Sequence, residues 1–551
     1  MRVRKKRQGL TLQAVAGTNV VLLGFDMGPD DCEGLLGFAV HRTSHKENRA
    51  AWIEGLKTFQ ATDPGFPPGS KYSTRDHPIQ GFTWSDLTAR PGQDYTYRVV
   101  ALKGSPADLR ETSDVSVRVQ TESPEGGTHD VYFNRGAGAS QEYARRFGNR
   151  RPDKVGKPAF DWLSRGLYEA IEGFVAQATG QGFALRVCAY EFHYEPFLKA
   201  LDGARRRGVD VRVVYDHRKK TPGTKNAAAV KAAGIEDLCI PRESNASELS
   251  HNKFVVLLQE GRPIAVLTGG TNFTAGGIFG HSNGVHIVQE EATAAAYNRY
   301  WELLSTDPAS RDVKKALVAE FPVPDGLPPA GTTPIFSPRD SLQALDWYVS
   351  LAKGAKEGLF ATFAFGMHEG FQEVYRTSTA RMRYALLEKV VRPMKAGPAR
   401  EAAEKAIARL RFQPENRFAV GAHLQLNSFD RWLEERLSGL NHAVQYLHTK
   451  YMLIDPLGPD PIVVTGSANF SAASTTDNDE NMLVIRGNKR VAEIYLGEFM
   501  RMYNHFAFRE WAASKKAKTS QTSPSHLRTD DWWREYFGDT ERSHQRAYFV
   551  S

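Results

Sequence analysis

At 551 residues the chain is long enough for several domains, each with its own core, and too long to be a small stapled scaffold. Its 71 basic residues against 63 acidic ones leave a formal charge of +8, a mild excess that admits a polyanionic partner without requiring one. Three widely spaced cysteines, Cys32, Cys188 and Cys239, with no CxxC pair, argue against a disulfide framework and a zinc site and favour a reducing compartment.

The first 19 residues form a basic N-terminal segment, MRVRKKR, followed by polar and apolar alternation rather than the continuous apolar core of a secretion signal. No run of 18 apolar residues follows anywhere. The expectation is a soluble, cytoplasmic protein, with signal-independent export left open. Residues 20–120 give short strands between turn residues (NVVLLGFDM, LLGFAVHR, QGFTW, QDYTYRVVALKG, SDVSVRVQT), the pattern of a β-sandwich. Within it LTARPGQDYTYRVVAL, with Pro91, Gly92 and Tyr95, resembles a fibronectin type III domain, which implies no catalysis but an unknown partner or surface.

After a polar linker at 121–130, residues 131–310 alternate strand and helix: VYFN, FDWLSRGLYEAIEGFVAQA, FALRVCAYEF, EPFLKALDGARRRG, VDVRVVYD. Such alternation predicts a mostly parallel α/β sheet. A Pro-rich linker at 311–333 precedes a second run of the same order, 334–513, from PIFSP through SLQALDWYVSLAKGA to GLFATFAFG. The second strands of both runs end near a histidine, His193 and His368, each expected to be packed or at the surface rather than in a cleft. Basic clusters at Arg205–Arg207, Lys219–Lys220 and Lys515–Lys518 are expected at solvated helix ends or in linkers. The tail, 514–551, is expected to dock on a lobe through Trp532 and Trp533.

The chemistry lies in a duplicated sentence. His251 and Asn272 are 21 residues apart, and so are His448 and Asn469. Lys253 and Lys450 each follow their histidine by two, so on a strand both side chains share a face. Cleaving a phosphodiester requires its nonbridging oxygens to be neutralised, a nucleophile and a proton donor. Two lysines supply the charge, and Asn272, Asn469 and Ser467 can add hydrogen bonds to the five-coordinate phosphorus. One imidazole attacks to form a phosphoenzyme while the other protonates the leaving oxygen and later activates water. A carboxylate at each ring's far nitrogen would fix its tautomer, and Glu480 and Asp455 are the candidates.

HTKYMLID followed by TGSANFS and NDEN resembles the phospholipase D superfamily, whose signature is HxKxxxxD followed by GSxN. The resemblance covers about 131–510 and implies two similar α/β lobes sharing one active site, a histidine from each, a covalent phosphohistidine and no cofactor or required metal. One chain then suffices for one site. By this resemblance His251 is the nucleophile and His448 the general acid and base, beside Lys253, Lys450 and Asp455. Asn272, Asn469, Ser467 and Thr271 fall to the phosphate, with Glu480 and Asn283 in support. The first copy departs from the pattern: Leu258 stands at the motif's Asp, Gly270 at the place of Ser467, and Asn283 at the place of Glu480. Loss of support is expected there, while His251, Lys253 and Asn272 keep the reacting groups.

Two fused, diverged motifs favour a phospholipid headgroup hydrolase, with FTAGGIFGHSNG (273–284) as an apolar lip for peripheral membrane contact. A metal-independent nuclease acting on DNA or RNA is the alternative, since GSANFS and NDEN also look like small nucleases of the family and the tail mixes Arg with aromatics. A non-catalytic phosphate-binding relative is the third reading.

Overall fold

The computed structural model describes residues 1–136, 140–218, 220–244, 248–391, 394–421, 432–437, 439–440, 445–514 and 526–551. The strands β1 (Arg2–Arg7), β2 (Leu10–Ala16), β3 (Val21–Asp26), β4 (Leu35–Ser44), β5 (Arg49–Trp52), β8 (Thr83–Asp86), β9 (Asp94–Ser105) and β10 (Asp108–Gln120) build a sandwich. Its two antiparallel sheets have the orders β1-β2-β3-β8 and β10-β9-β4-β5, and the short pair β6 (Glu54–Gly55) and β7 (Tyr72–Ser73) stands apart. The segment expected to precede the sandwich is therefore part of it. LTLQAVA is wholly buried, and β1 pairs with it through Gln8 and Gly9, both at positive φ, a two-residue turn whose twist suits a hairpin. Arg4, Lys5, Lys6 and Arg7 of β1 remain on its exposed edge.

Two seven-stranded sheets of identical topology follow. Lobe 1 contains β11 (His129–Phe133), β12 (Phe183–Ala189), β13 (Asp210–Asp216), β14 (Cys239–Arg242), β15 (Lys253–Gln259), β16 (Arg262–Gly269) and β17 (Gly284–Val288), ordered β11-β17-β16-β15-β12-β13-β14. Lobe 2 contains β18 (Gly331–Ser337), β19 (Gly358–Phe363), β20 (Met382–Leu387), β21 (Asn416–Val420), β22 (Tyr451–Ile454), β23 (Ile462–Gly466) and β24 (Glu480–Arg486), ordered β18-β24-β23-β22-β19-β20-β21. The sheets are mixed rather than mostly parallel: only β12/β13, β13/β14, β19/β20 and β20/β21 run parallel. In lobe 1 the antiparallel part includes a hairpin, because Glu260 and Gly261, again both at positive φ, turn β15 back into β16.

Each motif strand, β15 or β22, lies at the centre of its sheet and is buried throughout its apolar length. Phe133, Val256 and Tyr297 of lobe 1 share one core with Phe336, Phe360, Tyr451 and Tyr495 of lobe 2, so the sheets are fixed against each other. The Pro-rich linker is also more than a linker: Ser310–Glu320 is a helix that buries Val313 and Leu317.

The tail docks chiefly on the sandwich, not on a lobe. Trp532 and Trp533 complete the sandwich core, and Trp532 Nε1 donates to the Leu35 carbonyl at 2.8 Å. The last helix, Glu541–Val550, bridges to lobe 2: Gln13 Nε2 donates to the Phe549 carbonyl, while the Tyr548 ring lies 5.7 Å from Phe360. Cys32, Cys188 and Cys239 are unpaired, and no helix among the described residues is long and apolar enough to cross a membrane.

Candidate active site

His251 and His448 sit in the residues leading into β15 and β22, and a carboxylate at the end of a neighbouring strand holds each approach. Asp216, closing β13, accepts from the Ser250 amide at 3.3 Å; Glu388, just after β20, accepts from the Leu447 amide at 2.8 Å. Both acids are buried. They were missed in the sequence, although the repeat carried the signal: VRVVYD and RYALLE both end an apolar strand on an acid.

The two lobes are stitched together at the same level by equivalent bonds. The Asp479 amide donates to the Leu249 carbonyl at 2.9 Å and the Ser282 amide to the Tyr446 carbonyl at 2.8 Å. This exchange carries the support of each ring across the interface. His251 Nδ1 lies 2.8 Å from Glu480 Oε2 of lobe 2, and His448 Nδ1 lies 3.1 Å from Asn283 Oδ1 of lobe 1. Ser467 does not face a phosphate as expected. Its buried hydroxyl donates to Glu480 Oε2 at 2.7 Å and accepts from the Asn481 amide, so it positions the carboxylate. Gly270 takes its place in lobe 1 because a Cβ there would stand 3.2 Å from Asn283 Oδ1 and 3.3 Å from the His448 carbonyl.

Both lysines curl back onto the carbonyl of their own histidine, Lys253 on His251 and Lys450 on His448 at 2.6 Å. The Tyr190 ring covers this group, 4.6 Å from the His251 ring and 5.0 Å from Lys253 Nζ. The ring of a third histidine, His281, lies 4.6 Å from that of His448 at a tilt of 46°; nothing in its loop singles it out from the sequence. Asn272 and Asn469 follow the two hairpins, each with a buried Oδ1 that has no partner among the described residues.

Two expected ligands fall away. Asp455 sits at the far end of β22, and its carboxylate accepts from the amides of Lys356, Glu357 and Gly358, so it anchors a loop instead of a histidine. Five residues of strand beyond Lys450 correspond to about 16 Å, which is why the two cannot meet. The Thr271 hydroxyl is consumed by the Gly284 carbonyl at 3.0 Å. The proposed lip is buried as well: Ile278 and Phe279 lie in the core of lobe 1, Phe279 against Phe160, Tyr168 and Tyr194. His368 caps the helix Glu369–Thr377 by accepting from the Gly370 amide. His193 is half-buried, and burial lowers its pKa. Arg205 and Arg206 pair with Asp202 at a helix end; Lys219 and Lys515–Lys518 lie outside the described residues.

Burial dominates the electrostatics. It lowers His251 to about 4 against the opposing pull of Glu480, and Lys253 to about 7. His448 and Lys450 are pushed well below their ordinary values, first by burial and then by the neighbouring cations, Lys253 among them for both. The four groups thus act on one another as a single cluster, in which a bound anion would favour the charged form of each.

A family profile described as "Cardiolipin synthase, PLD-like domain" matches residues 177–304 and 416–503, one stretch in each lobe. No curated protein matches the chain. Among solved structures it is similar to phosphatidylserine synthase of Haemophilus influenzae Rd KW20, at 13% identity over 62% of this chain and 86% of that one, with a TM-score of 0.44. It is also similar to Nuc of Salmonella typhimurium, a phospholipase D family member, at 20% identity over 32% of this chain and 94% of that one (TM-score 0.23). A third is polyphosphate kinase of Porphyromonas gingivalis, at 13% identity over 58% of this chain (TM-score 0.37), of which the match spans only 43%.

Proposed function

The chain belongs to the phospholipase D superfamily, and from that premise we propose that it hydrolyses a glycerophospholipid at its headgroup phosphodiester through a covalent phosphohistidine. The observation that carries the chemistry is the His251–Glu480 contact of 2.8 Å across the lobe interface, with both HxK pairs gathered beside it.

Neutral His251, its Nδ1–H donated to Glu480, presents the lone pair of Nε2 to phosphorus. As the N–P bond forms, the ring becomes cationic, and the buried carboxylate stabilises that charge. The P–O bond to the leaving alcohol breaks, its electron pair goes to oxygen, and His448 supplies the proton from Nε2. Burial makes His448 reluctant to hold that proton, so the substrate's own negative charge is what restores it. His448 then takes a proton from water, hydroxide attacks phosphorus, and the N–P bond breaks to return His251. Lys253 and Lys450 neutralise the nonbridging oxygens throughout, with the Asn272 and Asn469 amides alongside.

A lipid substrate is supported by the family profile, whose description concerns a phospholipid synthase, and by the fusion of two diverged lobes in one chain. The nuclease reading loses its sequence support in the tail, because Trp532 and Trp533 fill the sandwich core instead of offering stacking faces. We read the sandwich as fibronectin type III-like. The orders β2-β3-β8 and β10-β9-β4-β5, with β1 added at an edge, support this, as does Tyr95, whose hydroxyl accepts from the Arg90 amide at 3.0 Å.

The test is headgroup release from phospholipid micelles beside cleavage of single- and double-stranded DNA, all with chelator. Lipid turnover without DNA cleavage is expected. DNA cleavage without lipid turnover overturns the substrate, and turnover that survives replacement of His251 overturns the mechanism.

A further inference from the structure

The features of the site fall into two groups: those repeated in both lobes and those present once. His, Lys, the asparagine 21 positions on and the acid at the neighbouring strand end are all repeated, as a pseudo-symmetric phosphate cradle requires. Glu191 is not.

Glu191 lies in the six-residue step from the end of β12, Ala189, to the helix Glu195–Arg206. Lobe 2 makes the same step from Phe363 to the helix Glu369–Thr377, which places Phe365 at the equivalent position. Phe365 is 41% exposed and carries no charge. In lobe 1 the main chain around Glu191 is sewn to the residue after the phosphate-binding asparagine: the Phe273 amide donates to the Glu191 carbonyl at 3.0 Å, and the His193 and Tyr194 amides donate to the Phe273 carbonyl. The side chain is half-buried; Oε2 accepts from Asn272 Nδ2 at 2.5 Å, and Oε1 has no partner among the described residues. Its charge acts on both Lys253 and Lys450, so it stands within the field of the site.

A carboxylate beside a bound phosphodiester is electrostatically costly. It opposes the lysines that attract the substrate, and a phosphate cradle alone has no use for it. Its chemistry suits the next part of the substrate: a hydroxyl or ammonium on an ester arm can donate to Oε1, while a second phosphate charge is repelled. We propose that Glu191 is a specificity-determining residue that selects diesters whose headgroup bears a hydrogen-bond donor, hydroxyl or ammonium, an assignment that rests on the phospholipid reading above.

The experiment measures kcat/KM in neutral-detergent micelles for three lipids: phosphatidylglycerol (hydroxyl donor), phosphatidylethanolamine (ammonium donor) and phosphatidylmethanol (no donor). The native protein is expected to prefer one or both donor lipids by about tenfold or more, because a site built to bind a donor rejects the analogue lacking it. Which of the two is preferred distinguishes hydroxyl from ammonium. Glu191→Gln keeps an amide oxygen for Asn272 and loses the charge; it is expected to bring the ratio to within about twofold of unity, while Glu191→Asp retains most of it. Glu191→Ser gives the same readout if the Gln variant does not fold. A ratio unchanged in Glu191→Gln, or an equal loss on all three lipids, overturns the assignment and leaves Glu191 as a support for Asn272. A native protein that cleaves bis(4-nitrophenyl) phosphate but none of the lipids overturns the phospholipid reading itself, and this assignment with it.

Discussion

The two lobes make the same sheet and place the same His-Lys pair on its central strand, yet they support their histidines differently. His251 leans on a buried carboxylate, Glu480, and His448 on a neutral carboxamide, Asn283. Each partner comes from the opposite lobe. A ring that must become a cation while bonded to phosphorus gains from a permanent anion at Nδ1; a ring that must give up a proton is made more acidic by lacking one. Under the proposed mechanism the degenerate first motif is no sign of decay, because the lobe with the poorer motif owns the better-supported histidine.

Removing either ring should have the largest effect. His251→Asn and His448→Asn are each expected to lower kcat by about 10⁴-fold or more, since groups acting as a unit fail together. With a 4-nitrophenyl leaving group, which departs without a proton, His448→Asn should still accumulate label on His251, trapped by acid quench. Label persisting in His251→Asn, and absent from His448→Asn, would reverse the roles.

Next comes the partner exchange. Glu480→Gln is expected to cost about 10²–10⁴-fold in kcat, by analogy with amide replacement of the carboxylate behind a catalytic histidine. Asn283→Asp, which gives His448 the carboxylate it lacks, should cost no more than about tenfold, because it alters acidity without removing a reacting group. Equal losses in the two variants would remove the asymmetry from the mechanism.

The pH profile sharpens the same contrast. In the free protein His251 is lowered to about 4 and Lys253 to about 7, both by burial. Protonated His251 cannot attack, so kcat/KM should fall below about pH 4. With the 4-nitrophenyl leaving group, which needs no proton from His448, the charge on Lys253 sets the other limb: neutral Lys253 cannot hold an anion, so kcat/KM should also fall above about pH 7. A bound phosphate keeps the lysine charged, and the alkaline limb of kcat should therefore lie higher. Glu480 raises both groups, so Glu480→Gln should move both limbs of kcat/KM to lower pH. An alkaline limb that stays in place would separate Lys253 from Glu480.

Much of this was legible in the chain and some was not, for reasons of range. The repeated 21-residue frame announced both lobes because it is local and periodic. The hairpin turns at Gln8-Gly9 and Glu260-Gly261 were equally local, but neither is one of the Asn-Gly or Asp-Gly pairs that announce such a turn. Crosswise support could not be read, since nothing near His251 says that its carboxylate lies 229 positions away. Glu191 was invisible for the opposite reason: a single acid after an apolar strand is ordinary, and only its failure to repeat in lobe 2 marks it.

The smallest effect on turnover is expected at Asp455, where the lobes again differ. Leu258, its equivalent, is buried in lobe 1 and needs no polar partner, because the tight Glu260-Gly261 hairpin returns the chain at once and the Glu260 amide finds the Gly182 carbonyl. Lobe 2 has a longer connection there, and three successive amides, Lys356, Glu357 and Gly358, converge on the Asp455 carboxylate as β19 begins. Asp455→Ala leaves them without that acceptor, at a cost of about 1–3 kcal/mol measured by denaturant unfolding. Turnover at a temperature where the variant stays folded should remain within about twofold of native, since the anchor lies at the end of β22 away from His448. A loss of a hundredfold or more in a folded variant would mean that this anchor sets the position of Lys450 through the strand, and the motif's acid would regain a part in the chemistry.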